Sequence, residues 1–324
     1  MRIIIHGTGA IGGVVGAALV EAGHEVIAIA RGRMLDAIRD RGLTMISPRG
    51  RVTVDLPCVA HPRDITFRPD DAVLLCVKGQ DTDAALQDLR AAGMTDQPLF
   101  CLQNGVANER VALRYFPNVH GVTVMMPATY LSPGEVITHG APCYGLFVIG
   151  RYPGGTDAAD MALKAAFEAA NMACIPSDGV MRAKYGKLLM NLGNIVDALL
   201  PLDADRARFT DPLKAEAEAV LRAAGIAWED VGQDNPNREK FMKVVEIEGV
   251  PRSGSSTRQS MARGAGSVET DYLNGEVALL GRLHGCPAPL NGAVTRLAAR
   301  LMADGAGAGG MTEAELDDLF RAAR

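Results

Sequence analysis

Four polar side chains recur at helical spacing in an otherwise apolar segment. At 100° per residue, a helix places Lys184, Lys187, Asn191 and Asn194 on one narrow face. Two of the chain's seven lysines are among them, and asparagine is a poor helix former. An amine that is partly removed from water on such a face can act as a general acid and protonate a developing alkoxide. A plainly solvated helix face is the alternative interpretation.

A glycine-rich turn near the N-terminus has the spacing of a dinucleotide-binding motif. Gly7, Gly9 and Gly12 follow a predicted strand, and Ala10 and Ile11 open a predicted helix. In such a turn the first glycine permits a tight bend and the second lets backbone N–H groups approach a pyrophosphate, while the third lets helix pack on strand. A packing turn in an ordinary α/β domain is the alternative, but the position between strand and helix favours a nucleotide.

The end of the second predicted strand bears on which nucleotide is bound. Residues 28–33 contain no Asp or Glu to bind a ribose hydroxyl, whereas Arg31 could hold a 2′-phosphate through two hydrogen bonds, with Arg33 beside it. The sequence therefore predicts NADP rather than NAD, unless Arg31 is an ordinary surface residue. Lys78 and Asn104 follow two further predicted strands, so they either reach the cofactor at the same sheet edge or only shape turns.

Two later segments hold further candidates. Ser267 could cap a helix whose first turn carries Glu269, and that carboxylate is equally well a helix-end charge or a site residue. Ser255 and Ser256 lie in a hydroxyl-rich segment that suits carboxylate binding or plain helix capping.

The elements that must position these side chains change in type along the chain. In the first half, short apolar runs alternate with amphipathic stretches, which is typical of βαβ units. Beyond about residue 177, apolar residues recur at helical spacing. We therefore predict an α/β fold in which an N-terminal Rossmann-type doubly wound sheet (residues 1–177) precedes an all-helical domain (residues 178–324).

The expected elements follow from these patterns. The predicted strands are Ile3–Ile5, Val26–Ile29, Ala72–Cys76, Leu99–Cys101, Val119–Val124, Tyr144–Ile149 and Ala173–Ile175, with a hairpin of Thr44–Ile46 and Arg51–Asp55. The predicted helices are Ala10–Ala22, Gln80–Ala92, Asn108–Tyr115, 157–170, Met181–Leu200, Asp211–Ala224, Glu269–His284, Leu290–Ala303 and Thr312–Ala323.

Composition excludes several classes of protein. The 324 residues carry a net charge of −5, so no overall positive field attracts nucleic acid or an anionic membrane. The six cysteines show neither a C-x-x-C motif nor zinc-ligand spacing, so we expect buried thiols in a reducing compartment and no metal site. The glycines of the apolar N-terminal run argue against a signal peptide or membrane span, and we expect a cytoplasmic location.

Taken together, these residues resemble the ketopantoate reductase (2-dehydropantoate 2-reductase) family over nearly the whole chain. The resemblance rests on the glycine turn, Arg31, Lys78, Asn104-Gly105, Lys187-Leu188-x-x-Asn191, Ser255-Ser256 and the segment from Glu269 to Gly275. It implies a Rossmann domain followed by a helical domain, NADPH as cofactor and reduction of a small 2-oxoacid. Ketopantoate, reduced to pantoate in pantothenate biosynthesis, is the substrate it implies first.

The resemblance also assigns roles. It implies Lys187 as general acid and Glu269 as the carboxylate that orients Lys187 or the substrate hydroxyl. It places Asn191 and Ser256 at the oxoacid, and Asn194 is a further substrate-binding candidate. It places Asn104 at the nicotinamide end of the cofactor, and Arg31 and Lys78 on the 2′-phosphate side. A reductase of a different 2-oxoacid and a non-catalytic NADP-binding regulatory protein are the alternatives, and the helical domain offers surface for a homodimer.

Overall fold

The first strand is buried on both of its faces. In β1 (Arg2–His6), Ile3 and Ile5 pack into one hydrophobic cluster and Ile4 into another, and all three are fully buried. Consecutive β-branched residues favour an extended backbone, and a strand buried on both faces needs helices on each side of its sheet. The apolar run at the N-terminus is thus a central strand.

The computed structural model describes residues 1–130, 132–232, 234–264 and 266–324. The chain divides into two compact units. Unit 1 comprises Met1–Lys184 and Val231–Pro251, and unit 2 comprises Tyr185–Asp230 and Arg252–Arg324. The chain therefore leaves unit 1 inside a helix and later returns to it for about 20 residues.

The strands of the described residues all belong to unit 1. After β1 they are β2 (Val26–Ile29), β3 (Leu43–Ser47), β4 (Gly50–Val54), β5 (Cys58–Val59), β6 (Asp71–Leu75), β7 (Leu99–Cys101), β8 (Val119–Met125), β9 (Ala128–Thr129), β10 (Glu135–Thr138), β11 (Gly140–Pro142), β12 (Leu146–Arg151), β13 (Ala173–Pro176) and β14 (Met242–Val244).

Three sheets arise from these strands. The largest has the order β13-β12-β8-β7-β6-β1-β2-β5, and its pairs are parallel except for β8 with β12. A four-stranded sheet has the order β4-β3-β10-β9, and β11 pairs with β14 in an antiparallel ribbon. Because β1, β2, β6 and β7 are mutually parallel, the loops after them open at the same edge.

The helices flank the large sheet in unit 1 and make up unit 2. They are α1 (Ala10–Glu21), α2 (Gly32–Arg41), α3 (Thr82–Ala91), α4 (Asn108–Ala112), α5 (Ala158–Ala169), α6 (Val180–Asn191), α7 (Asn194–Leu199), α8 (Ala207–Ala223), α9 (Pro236–Phe241), α10 (Ser256–Ala262), α11 (Asn274–Leu283), α12 (Pro289–Ala303) and α13 (Glu313–Ala323), with 3₁₀ turns at Pro62–Asp64, Gly79–Asp81 and Glu269–Tyr272. Among the described helices, none is both long enough and apolar enough to cross a membrane.

The predicted α/β fold with a helical C-terminal region is confirmed, and every predicted strand is present with ends shifted by at most about two residues. The helix predicted over Met181–Leu200 is wrong in its continuity, because α6 ends at Asn191 and α7 begins at Asn194. At the junction, a Cβ on Gly193 would lie 2.7 Å from Cγ2 of Thr210, so only glycine fits there without displacing a neighbour.

Several short elements escaped sequence analysis. The strand β14 lies in the half predicted to be all helical, and the strands β5, β9, β10 and β11, of two to four residues, are absent from the predicted elements. The predicted helix Glu269–His284 is likewise split, with the 3₁₀ turn at Glu269–Tyr272 separated from α11 by Leu273.

Candidate functional site

The turn between β1 and α1 requires glycine at its first and third motif positions. Gly7 has φ of 107°, and a Cβ there would lie 2.8 Å from the Val77 nitrogen. A Cβ on Gly12 would lie 2.2 Å from the Gly7 carbonyl oxygen. At Gly9, the N-cap of α1, a Cβ would meet no atom within 4 Å. The backbone at the start of this helix is therefore uncovered, as a phosphate site requires.

Neighbouring groups hold the glycine turn in place. Thr8 donates a hydrogen bond from its hydroxyl to the Ile29 carbonyl at 3.0 Å, which ties the turn to the end of β2. His6, the last residue of β1, is buried. Burial, reinforced by the positive charge of Arg31, lowers the pKa of His6 from 6.5 to about 4. The imidazole is therefore neutral at physiological pH.

Arg31, Lys78 and Asn104 follow β2, β6 and β7, at the edge where the glycine turn lies. Arg31 is exposed at the N-cap of α2, and its guanidinium lies 3.3 Å from an Asp88 carboxylate oxygen. Lys78 is partly buried at the N-cap of a 3₁₀ turn, and Asn104 is partly buried in the next loop. The structure thus brings all the predicted cofactor residues to one sheet edge.

A buried amide network that the sequence did not reveal connects the loops after β6 and β7. The Gln103 amide nitrogen donates to the Val77 carbonyl and to the Thr82 hydroxyl, both at 2.8 Å. The Asn108 amide nitrogen donates to the Asn104 carbonyl at 2.9 Å, and its oxygen accepts from Thr82 at 2.9 Å. The network fixes the backbone on which Lys78 and Asn104 are carried. Only a polar residue two positions after a buried strand, Gln103, indicated it in the sequence.

Lys184 is committed to a buried ion pair. Its side chain is 2% exposed, it pairs with Glu109 on α4, and its ammonium donates to the Gln103 carbonyl at 3.1 Å. Lys184 lies three residues before Lys187 on the same helix, as the predicted polar face requires, but its ammonium is taken up by this buried pair. The predicted continuity of that face is wrong for Asn194, because this residue begins a new helix.

Lys187 and Asn191 remain together on α6. They are four residues apart on one continuous helix, so their side chains lie on the same face about one turn from each other. Lys187 is partly buried and Asn191 is 5% exposed. An ammonium beside a buried amide is suited to orient and protonate a carbonyl oxygen.

Asn194 and Ser256 meet in unit 2. The Asn194 amide nitrogen lies 3.5 Å from the Ser256 hydroxyl, and the Ser255 hydroxyl donates to the Asn194 carbonyl at 3.1 Å. Ser255 also caps α10 by accepting from the Arg258 N–H, and its own N–H donates to Asp197 at 2.8 Å. The capping interpretation of the serine segment is confirmed for Ser255, and Ser256 lies beside a predicted substrate residue.

Glu269 is partly buried at the start of a 3₁₀ turn. The prediction that Ser267 caps this element is wrong, because the N-cap is Val268 and Ser267 is exposed. A few residues later, buried Asn274 donates to the Leu192 carbonyl at 3.2 Å and to Asn291 at 3.0 Å. Asn274 thereby ties α11 to the α6–α7 junction.

His120, Asp157 and Asp160 form a buried cluster of potential metal ligands. Its carboxylate oxygens already have partners, since Asp157 binds Arg151 at 2.7 Å and the backbone N–H of Ala159, and Asp160 binds His120 at 2.8 Å and the Asp157 N–H. The arrangement is that of a capped helix with a charge network.

Comparison with known proteins places the chain in a family. The ketopantoate reductase PanE/ApbA profile matches residues 3–154, and the profile of the C-terminal domain of the same family matches residues 169–302. The chain belongs to the ketopantoate reductase PanE/ApbA family. Family members are nicotinamide-dependent oxidoreductases of 2-oxoacids, so the predicted enzyme class is confirmed.

Individual members of the ketopantoate reductase family are similar to this chain along nearly its full length. The 2-dehydropantoate 2-reductase of Halobacterium salinarum is 30% identical over 90% of this chain and 95% of its own, and that of Pyrococcus horikoshii is 28% identical over 90% and 94%. A family ketopantoate reductase from Ralstonia eutropha superposes with a TM-score of 0.77 at 31% identity, covering 94% of this chain and 99% of its own. A D-mandelate dehydrogenase bound to NADH and anilino(oxo)acetate has the same TM-score at 22% identity over 94% and 99%, which shows a shared fold.

Proposed function

We propose that the protein reduces a 2-oxoacid to a 2-hydroxyacid with NADPH, and that ketopantoate, which yields pantoate, is its substrate. The observation that carries the proposal is the placement of Lys187 and Asn191 one turn apart on α6, within the segment that the family's C-terminal profile matches. The proposal assigns nucleotide binding to the domain of residues 1–177 and the substrate and proton-transfer groups to residues 178–324.

The residues at the sheet edge fit NADP. When bound, NADPH supplies the hydride that is added to C2 of the oxoacid. The open backbone at Gly9 and the N-terminus of α1, with Ala10 and Ile11, would hold the pyrophosphate. Arg31 and Lys78 would bind the 2′-phosphate side, and Asn104 would lie at the nicotinamide end.

In the proposed reaction, this chain's own groups handle the substrate and the proton. Lys187 would donate a proton to the C2 oxygen as it becomes a hydroxyl, and Asn191 would orient that oxygen. Glu269 would orient Lys187 or the new hydroxyl. The Asn194–Ser256 pair would bind the substrate carboxylate, since both side chains can donate hydrogen bonds.

A substrate panel with the purified full-length protein tests the proposal. Ketopantoate, smaller branched 2-oxoacids and the aromatic 2-oxoacid benzoylformate would each be offered with NADPH and with NADH. Oxidation of the nucleotide would be measured by the loss of its fluorescence. We expect ketopantoate with NADPH to give the highest kcat/KM. A higher kcat/KM for another acid would replace ketopantoate as the substrate, and NADPH binding without NADPH oxidation in the presence of any acid would favour a regulatory protein. The homodimer and the cytoplasmic location stay predictions.

A further inference from the structure

Asp88 lies beside Arg31 and is held there by a second group. One Asp88 carboxylate oxygen is 3.3 Å from the Arg31 guanidinium, and the other is 3.4 Å from Nε2 of His61. Asp88 is on α3, whereas His61 precedes the 3₁₀ turn at Pro62–Asp64. Three separate segments thus converge on one carboxylate at the sheet edge.

The His61 ring lies against this carboxylate. Nδ1 of His61 accepts a hydrogen bond from the Arg63 N–H at 3.1 Å, so the proton of the neutral ring is on Nε2, which faces Asp88. The His61 and Asp88 side chains are only 24% and 33% exposed, whereas that of Arg31 is 71% exposed. Asp88 is therefore the more buried partner of the pair and Arg31 the more exposed one.

We propose that Asp88 is a specificity-determining residue that weakens the preference for NADPH over NADH by competing for Arg31. The inference rests on the proposed function, in which Arg31 binds the 2′-phosphate. Because a guanidinium offers its best bidentate geometry to one anion at a time, the 2′-phosphate must displace the Asp88 carboxylate or share Arg31 with it. The 2′-phosphate and the Asp88 carboxylate repel each other, whereas NADH has no 2′-phosphate and does not compete for Arg31.

This role differs from that of an acid at the end of β2. Such an acid would bind the ribose of NAD directly, and residues 28–33 contain none. Asp88 reaches the edge from another element and acts through Arg31, so the effect of removing it depends on Arg31 being present. That dependence separates competition from a general change of surface charge.

The test measures dissociation constants for NADPH and NADH by nucleotide fluorescence in four full-length proteins: wild type, Asp88→Asn, Arg31→Ala and the double variant. We expect Asp88→Asn to lower the dissociation constant for NADPH about three- to tenfold and to change that for NADH less than twofold. In the Arg31→Ala background, Asp88→Asn should lower the dissociation constant for NADPH less than twofold. Asp40→Asn, an equal charge change at an exposed position of α2, is the matched control and should alter neither constant.

The outcomes separate this inference from the proposed cofactor. If Asp88→Asn leaves NADPH binding unchanged or weakens it while Arg31→Ala still weakens NADPH more than NADH, Asp88 does not compete and the inference is wrong. If Arg31→Ala weakens both nucleotides equally, the 2′-phosphate assignment itself fails. An equal gain from Asp88→Asn with and without Arg31 would also overturn the competition for Arg31.

Discussion

Lys184 and Lys187 lie within one turn of α6, yet their environments differ. The Lys184 ammonium is buried against Glu109 and the Gln103 carbonyl, whereas Lys187 is partly exposed and shares its face with Asn191. A buried, paired ammonium is poorly placed to exchange protons with a substrate. At the residue scale, these environments favour Lys187 over Lys184 for the proposed proton transfer and give Lys184 a structural position.

Replacing Lys187 should remove the proton donor and leave nucleotide binding intact. For Lys187→Met we expect kcat to fall about 10²- to 10⁴-fold, because general-acid catalysis contributes about that much. Steady-state kinetics with the best acid of the panel and fluorescence titration of NADPH measure the two quantities. Lys164→Met, at a partly exposed position of α5, is the control and should match wild type. Full turnover in Lys187→Met would exclude this residue as the acid.

The buried imidazole of His6 should make stability depend on pH. Its pKa is lowered to about 4 in the folded protein, so the unfolded chain binds the proton more tightly. The stability contributed by the neutral ring is complete above pH 6.5 and is lost as the pH falls toward 4. Between pH 7 and pH 5 we expect a loss of about 2 kcal/mol from this group. Urea unfolding of wild type and of His6→Gln at both pH values measures it, and an identical pH dependence would contradict the assignment.

At the scale of elements, α4 and α6 are joined by the Lys184–Glu109 pair, which also holds the loop that carries Asn104. The pair is an example of what a sequence does not reveal. Helical periodicity correctly placed Lys184 on a helix, but the partner on α4 is 75 residues away in the chain and only the tertiary structure brings it near.

Breaking this pair should cost far more than breaking a surface pair. We expect Lys184→Met to lower the free energy of unfolding by about 3–5 kcal/mol, because it leaves the Glu109 carboxylate buried without its charge partner. Lys164→Met removes an exposed ion pair with Glu168 and should cost less than about 1 kcal/mol. Denaturant unfolding at pH 7 compares the two. Equal losses would show that burial of the Lys184 pair has no energetic consequence.

The elements that the sequence predicts correctly are those that local pattern determines. The apolar strands, the glycine turn and the helices α5, α12 and α13 follow from periodicity and capping, and the motif residues at strand ends fall at one edge because parallel strands share their direction. The sequence does not reveal the break at Gly193, where the neighbouring Thr210 leaves room for no side chain, nor the pairing of His61 with Asp88, which no motif marks.

At the scale of the whole molecule, the cofactor candidates and the proposed proton donor belong to different units. The glycine turn, Arg31, Lys78 and Asn104 are all in unit 1, whereas Lys187, Asn191, Asn194, Ser256 and Glu269 are in unit 2. The acidic chain therefore gathers its proposed phosphate-binding groups in a single unit.

Nucleotide should accordingly stabilise unit 1. At a concentration of 100 times its dissociation constant, NADPH should raise the free energy of unfolding of unit 1 by about 2.7 kcal/mol. This corresponds to a rise of roughly 5–10 °C in the melting temperature of the unfolding transition of unit 1. Calorimetry with NADPH and with NADH at equal concentration measures the effect, and NADH should give the smaller rise. In Arg31→Ala the two nucleotides should shift the transition equally, and a persisting NADPH advantage would contradict the role of Arg31.

The pairing of β11 with β14 also orders events during synthesis. β14 lies roughly 100 residues after β11, so it leaves the ribosome about 5–20 s later at usual elongation rates. Throughout that interval the Gly140–Pro142 segment lacks its partner strand while residues 185–230 of unit 2 are being made. Unit 1 therefore cannot finish folding as a nascent N-terminal domain, and its last strand is added only after the chain has left it and come back.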